Sequence, residues 1–363
     1  MLNLAFVKLS RLILGVSVYL VYSYGLSQEI TFGPEWEFTH KRMQLPIWGL
    51  NGQEAIAARS LAKRIENLCK NRICQVKEVD GKWEKDFRVT FSDGWHFTVS
   101  YDPWCVEIQA KPMTIKEMRR RAEVMNKFIF DAARAEELYV DIKDGAGHID
   151  FGARSAFGND GELFLRFFVD FANHPELPSG ILRKKNLVNA PPIIYLPETE
   201  RQGLEDIIRD FNFSNPPDIK TVAQLITKKV YSHQPYMPPD ESAEESIHYQ
   251  ALGIKHLLED AFPEKDRAMD IRAARSQRSV EEFILLAELI GERIAYLKKQ
   301  QQLKAPMVFN NISTFDEAPE ALVSCYYEYI RQMGGNWKKY KKILPLEWQR
   351  IQPRPHQQCP SSF

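Results

Sequence analysis

The sequence lacks an excess of charge of either sign: its 363 residues hold 48 lysines and arginines against 48 aspartates and glutamates. No overall field recruits nucleic acid or anionic lipid, so a small-molecule or peptide partner is expected. Cysteine is scarce. The five present, Cys69, Cys74, Cys105, Cys325 and Cys359, are odd in number and too few for a disulfide framework in so long a chain. Cys69 and Cys74 could close a small loop in an oxidising compartment, but the set reads as mostly free, buried thiols. No G-x-x-x-x-G-K-S/T, H-E-x-x-H, C-x-x-C or G-x-S-x-G stretch occurs. That removes the commonest NTPase, zinc-protease, redox and esterase chemistries.

What the chain does hold is apolar and aromatic residues, 44% and 12%, enough to bury a large core in one big domain or two moderate ones. Its start, MLNLAFVKLSRL, carries Lys8 and Arg11 and no acid; the apolar run ILGVSVYLVYSYGL leads to Gly25, Leu26 and Ser27. This order reads as a secretory signal peptide over residues 1–27, and so as export to the periplasm or medium. The run is short for a membrane span of about 20 residues. Contact with a membrane is expected only if the segment stays uncleaved, and a misassigned start would leave the chain cytoplasmic.

Beyond residue 28, EITFGPEWEFTH reads as a strand and NGQEAIAARSLAKRIENLCKN as a helix. FRVTFS, WHFTVSY and WCVEIQA are strands split by the turn signals Asp93-Gly94 and Asp102-Pro103, which makes an antiparallel meander. TIKEMRRRAEVMNKFIFDAARAEELY predicts a long helix opened by a capping box of Thr114 and Glu117. VDIKDGAGHIDFGARSAF returns to strand through glycines, and GELFLRFFVDFANH reads as a buried helix. A proline-rich insertion near 175–240 predicts loops and short elements. RAMDIRAARSQ is a late short strand, and SVEEFILLAELIGERIAYLKKQQQ a helix capped by Ser279 with Glu282 at its third position. APEALVSCYYEYIRQMGGNWKKYKKILPLEWQR is mostly helical, and residues 351–363 read as a disordered tail. The order is α+β, with residues 28–350 as one domain whose helices pack on an antiparallel sheet.

Glu35 and Glu37 lie two apart in a strand-type stretch, so both project to one face, roughly 6.5–7 Å apart, while Trp36 faces away. Two such carboxylates repel unless a cation or water lies between them. Mg²⁺ or Mn²⁺ suits hard oxygens of this kind and keeps waters that can bridge to phosphates; a solvated edge strand also accounts for the pair. Glu107, flanked by Val106 and Ile108, shares a face with Cys105 and Gln109, which is polar for a mid-sheet strand unless that side faces water. His148 and Asp150 repeat the two-apart spacing, with Gly145 and Gly147 allowing close backbone approach. Asp270 and Arg272 share a strand face, with Arg275 and Arg278 behind. A carboxylate beside a guanidinium suits a metal and a phosphoryl group, or an ordinary surface ion pair.

In this order, from about residue 30 to 300, the pieces GPEWEF, VEIQAKPMT, GAGHIDFG and MDIRAARSQRSVEEF resemble the strand motifs of the glutamine synthetase / glutamate–cysteine ligase superfamily. The likeness is closer to its bacterial amidoligase (carboxylate–amine ligase) branch. The resemblance implies an antiparallel sheet that forms a concave ATP and metal groove backed by helices. It makes Glu35, Glu37, Glu107, His148 and Asp270 ligands of Mg²⁺ or Mn²⁺, although Asp270 is one methylene shorter than the family's glutamate. Arg272 and Glu37 become the catalytic residues, Arg272 facing the transferred phosphoryl group, and Arg272, Arg275 and Lys111 contact ATP. Asp150 stands where the branch often has a second histidine. NHPELPSG, Asn173 to Gly180, is similar to a segment that shapes the acceptor site, with Arg183, Lys184 and Lys185 for an anionic substrate.

The implied activity is ATP-dependent amide formation between small-molecule carboxylate and amine substrates, of amino-acid, peptide or peptidoglycan type, through an acyl phosphate. A second reading, from a different class, is an exported binding module without activity on a degenerate ligase fold, because ATP is scarce outside the cytoplasm. SLAK, Ser60 to Lys63, invites a serine hydrolase of cell wall, but it falls in an amphipathic helix without a K-T-G or S-D-N companion.

Overall fold

Alternation in Thr31–Phe38 (β1) sends Phe32, Trp36 and Phe38 to a buried face and Thr31, Glu35 and Glu37 to the other. The same alternation runs through Lys85–Phe91 (β3), His96–Asp102 (β4) and Cys105–Ala110 (β5), whose Phe87, Val89, Phe97, Val99, Val106 and Ile108 are buried. Cys74–Asp80 (β2), Met113–Thr114 (β6), Ile149–Gly152 (β7), Leu252–Gly253 (β8) and Ala268–Ile271 (β9) complete the strands. Among the described residues all pair antiparallel in one open nine-stranded sheet, in the order β2-β3-β4-β5-β1-β7-β9-β8, with β6 beside β1. The computed structural model describes residues 29–40, 52–69, 72–81, 85–103, 105–140, 147–174, 196–231, 250–259, 267–302 and 319–352. It also describes Met43, Leu177, Ala190, Ile193 and Cys359. Residues 1–28, Arg183, Lys184 and Lys185 lie outside the described residues, as does all of the expected tail except Ile351, Gln352 and Cys359.

Helices cover the apolar face. Trp36, fully buried, meets Phe130 and Phe283 edge-on at 5.3 and 5.7 Å between ring centroids. Phe130 belongs to the helix that starts at Ile115–Met125 (α2), continues through a π-helical turn at Asn126–Asp131 and ends at Ala132–Ala135. The extra residue in that turn lets Phe128, Ile129 and Phe130 all face the core. The expected capping box is present: Thr114 Oγ1 accepts from Glu117 N–H at 3.3 Å, and Glu117 Oε2 accepts from Thr114 N–H at 2.8 Å. Phe283 belongs to Val280–Gln302 (α6), and Ser279 Oγ accepts from Glu282 N–H at 3.3 Å as expected. Gly161–Asn173 (α3) is buried nearly throughout. Its Asp170 accepts two bonds from Arg293 Nε of α6, at 3.0 and 3.1 Å, and one from Tyr329 of Pro319–Gln332 (α7) at 3.1 Å. Arg293 and Asp170 have no solvent exposure, so the pair clamps three helices from inside.

Three expectations need correction. The helix Gln53–Leu68 (α1) has Cys69 as its C-cap, and β2 follows it as a strand that periodicity had not indicated. The proline-rich insertion holds two regular helices, Glu198–Asp210 (α4) and Ile219–Lys229 (α5), the second capped by Asp218, which accepts from Thr221 N–H at 2.7 Å. The cysteines are not mostly free. Cys69 pairs with Cys74 and Cys325 with Cys359, at Cα separations of 4.9 and 5.2 Å, while Cys105 remains a buried thiol. An odd count hides such pairs, because approach of the Cα atoms, set by the fold, decides pairing. Among the described residues no helix is long and apolar enough to cross a membrane.

Candidate functional site

Strand register decides what the polar face of the sheet carries. Glu37 stands directly opposite Glu107, and Glu35 opposite Gln109, across β1 and β5. Ser100 of β4 stands opposite Glu107 in turn, its hydroxyl donating to Glu107 Oε1 at 3.4 Å. On the other flank Gly33 faces Asp150, Asp150 faces Asp270, and Asp270 faces Gly253. The Glu35 N–H donates to the His148 carbonyl at 3.2 Å, which sets His148 beside Glu35. Directly paired residues share a face, so Glu35, Glu37, Glu107, His148, Asp150 and Asp270 form one stripe across four strands, β5, β1, β7 and β9. A Cβ built on Gly33 or Gly253 would meet the Cβ of Asp150 or Asp270 at 3.3 and 3.4 Å. Glycine therefore leaves open space on both sides of the aspartate pair.

The charges in the stripe are interdependent. His148 Nδ1 lies 3.4 Å from Glu35 Oε2, with both side chains largely buried. Burial opposes the Glu35 charge, but His148, a hydrogen bond from Glu107 and the Arg272 guanidinium outweigh it and bring its pKa to about 2. Glu107 moves the other way: burial, then the negative charges of Glu35, Glu37 and Asp102, push it well above the usual carboxylate range. Glu107 is thus the proton donor of a carboxyl–carboxylate pair. Burial and Arg272 push the His148 imidazole down, yet Asp270 and Glu35 together hold it above its ordinary value. Asp150 is raised well above its ordinary value by burial, then by Asp270 and Glu35. Arg272 Nη1 donates to Asp270 Oδ2 at 3.1 Å. Such a stripe holds more carboxylates than can ionise together, and a bound dication would take the place of the shared protons.

Among the described residues the buried His148 Nε2 and Asp270 Oδ1 meet no hydrogen-bond partner. An imidazole held through Nδ1 by a carboxylate, with Nε2 open, is oriented as metal-binding histidines are. The donor set of carboxylate oxygens and one imidazole nitrogen suits a divalent cation. Among the described residues no three His, Cys, Asp or Glu side chains stand close enough to enclose a metal as they are. The expected cage is therefore not preassembled; Glu35 is engaged with His148 and Glu107 instead.

No protein-family model matches the chain, and no curated protein sequence matches it. Its chemistry must be read from these residues alone.

Other expected positions divide. Lys111 follows Gln109 on the same face, exposed, and its N–H donates to the His96 carbonyl at 3.1 Å. Arg275 does not reach the stripe. It is buried, donating to Glu282 and to the carbonyl of Ile343, because Glu282 on the first turn of α6 offers a partner inside the core. Arg278 joins the same carboxylate through Nε at 3.2 Å. In the expected acceptor-site segment, Asn173 and His174 are buried, and His174 Nε2 lies 3.6 Å from Asp170 Oδ1. Ser60, on the surface of α1, donates to Glu136. Ser100 and Thr98 were missed, although the alternation in HFTVSYD puts both on the face of Glu107 and Gln109.

Proposed function

We propose that this chain is an ATP-dependent carboxylate–amine ligase of the glutamine synthetase / glutamate–cysteine ligase type, amidoligase branch, built on a glutamine synthetase-like sheet. The observation that carries the proposal is the acidic stripe: Glu37 against Glu107, Glu35 against His148, and Asp150 against Asp270, drawn from strands far apart in sequence. Glu37, Glu107, His148 through Nε2 and Asp270 through Oδ1 would hold Mg²⁺, with Glu35 orienting the imidazole. When bound, Mg²⁺ supplies charge neutralisation and alignment for phosphoryl transfer.

The reaction joins two substrates in two transfers. The substrate carboxylate displaces ADP from the γ-phosphorus, giving an acyl phosphate, and the amine then displaces phosphate at the acyl carbon. Arg272, beside Asp270, supplies a positive charge next to the phosphoryl group as its oxygens gain charge. The remaining contribution of the protein is positioning.

One observation favours a second reading, an exported binding module on the same fold. Two disulfides belong with an oxidising compartment, where ATP is scarce. Calorimetric titration with ATP, with and without magnesium, separates the two. Magnesium-dependent binding, followed by phosphate release on adding a carboxylate and an amine, supports the ligase; a silent titration leaves the binding module.

A further inference from the structure

Beside the acidic stripe the same sheet face turns basic. Lys77 stands directly opposite Arg88 across β2 and β3. His96 and Lys111 are side by side across β4 and β5, joined by the Lys111 N–H at 3.1 Å. Arg88 faces Thr98 and His96 faces Thr90 across β3 and β4, so Arg88 and His96 are diagonal neighbours. Val89, Phe97 and Val99 occupy the buried face of these strands, which leaves the basic residues on the face of Glu107 and Glu35. None of the four has an ion-pair partner among the described residues. Burial, then the charges of Arg88 and Lys111, hold the His96 pKa below its ordinary value.

Like charges placed directly opposite in a sheet work against folding. Lys77 against Arg88 is such a pair, and Lys111 and His96 lie on the same face of the adjoining strands; Asp86, two residues before Arg88, is ion-paired with neither, and the cluster fits a site completed by an anion from outside the chain. We propose that this basic corner, Lys77, Arg88, His96 and Lys111, is a second subsite of the same centre and binds a remote carboxylate of the acid substrate. The proposal rests on the ligase reading for its chemistry.

The sheet geometry sets the size of that substrate. Two strand steps separate β1 from His96 and three separate it from Arg88, or about 10 and 14 Å at the usual spacing. An acid activated at the stripe and held at the corner therefore carries its second carboxylate about 10 Å away, the length of a tripeptide rather than an amino acid. A peptide with an acidic far end fits both subsites.

The test is made without magnesium or nucleotide, so that it stands apart from ATP binding. The full chain is titrated with triglutamate, triglutamine and tripolyphosphate. Triglutamate should bind and triglutamine should not, and the affinity should fall about tenfold for each cation removed in Arg88→Gln and in Arg88→Gln/Lys111→Gln. Unfolding midpoints of the variants should stay at or above wild type, since like-charge repulsion is relieved. Equal triglutamate affinity in wild type and double variant overturns the subsite. Tighter binding of tripolyphosphate than triglutamate also overturns it and gives the corner to nucleotide phosphates. Retained, Arg88-dependent triglutamate binding beside a silent Mg·ATP titration supports the subsite and removes the ligase reading alone.

Discussion

Replacing Glu35 by glutamine tests the electrostatics of the stripe, because it keeps the shape and removes the charge that His148 faces at 3.4 Å. The pKa of Glu35 falls from an ordinary 4.5 to about 2 in the fold. At about 1.4 kcal/mol per unit, that lowering is worth on the order of 3 kcal/mol. The sign follows from the two partners. Glu35 is lowered, so its contribution is complete above 4.5 and is lost as pH falls toward about 2. His148 is raised above 6.5, so its contribution is complete below 6.5 and is lost as pH rises through its folded value. The stability gap between wild type and Glu35→Gln should peak between pH 4.5 and 6.5 and shrink on both sides. Urea denaturation in EDTA, carried from well below pH 4.5 to well above pH 6.5, measures it. A gap that is absent, or that stays constant across the range, would refute the pairing.

Three further outcomes are expected. Glu37→Gln removes one of the negative neighbours of Glu107, so it should leave the melting temperature in EDTA at or above wild type while abolishing magnesium-dependent ATP binding; loss of folding would make Glu37 structural. Arg293→Met strands the buried Asp170 carboxylate and should lower stability by about 3–5 kcal/mol, with most recovered in Arg293→Met/Asp170→Leu. A cost no larger than that of an exposed ion pair would contradict the clamp. Cys325→Ser opens a crosslink of sequence separation 34, worth about 3–4 kcal/mol by loop entropy. Reducing agent should bring wild type most of the way toward this variant, and no difference between the two under oxidising conditions would count against the bond.

Much of the site was legible because strands alternate. Two-apart spacing was enough to give Glu35 and Glu37 one face, His148 and Asp150 another, and Asp270 and Arg272 a third. Each assignment survives as a local statement. The capping box at Thr114 and the Ser279 cap were equally local, since a helix start is decided within four residues. Arg275 was misplaced for the opposite reason. Its partner Glu282 is near in sequence, but Ile343 lies 68 residues on and only packing brings that carbonyl to the guanidinium. The strand β2 was hidden because its partner residues in β3 lend it a face that the segment CQVKEVD does not display alone.

The sequence by itself determined which residues share a strand face, where helices begin, and that acids and one imidazole recur on successive strands. Those are consequences of a two-residue repeat and of local hydrogen bonding. Only the tertiary structure decided that Glu37 meets Glu107, that Asp150 meets Asp270, and that a basic corner lies beside them on the same sheet. Register and strand order depend on pairing across long stretches of chain, and like charges are brought together only once the burial of Trp36, Phe97 and Ile108 on the opposite face holds the sheet in place.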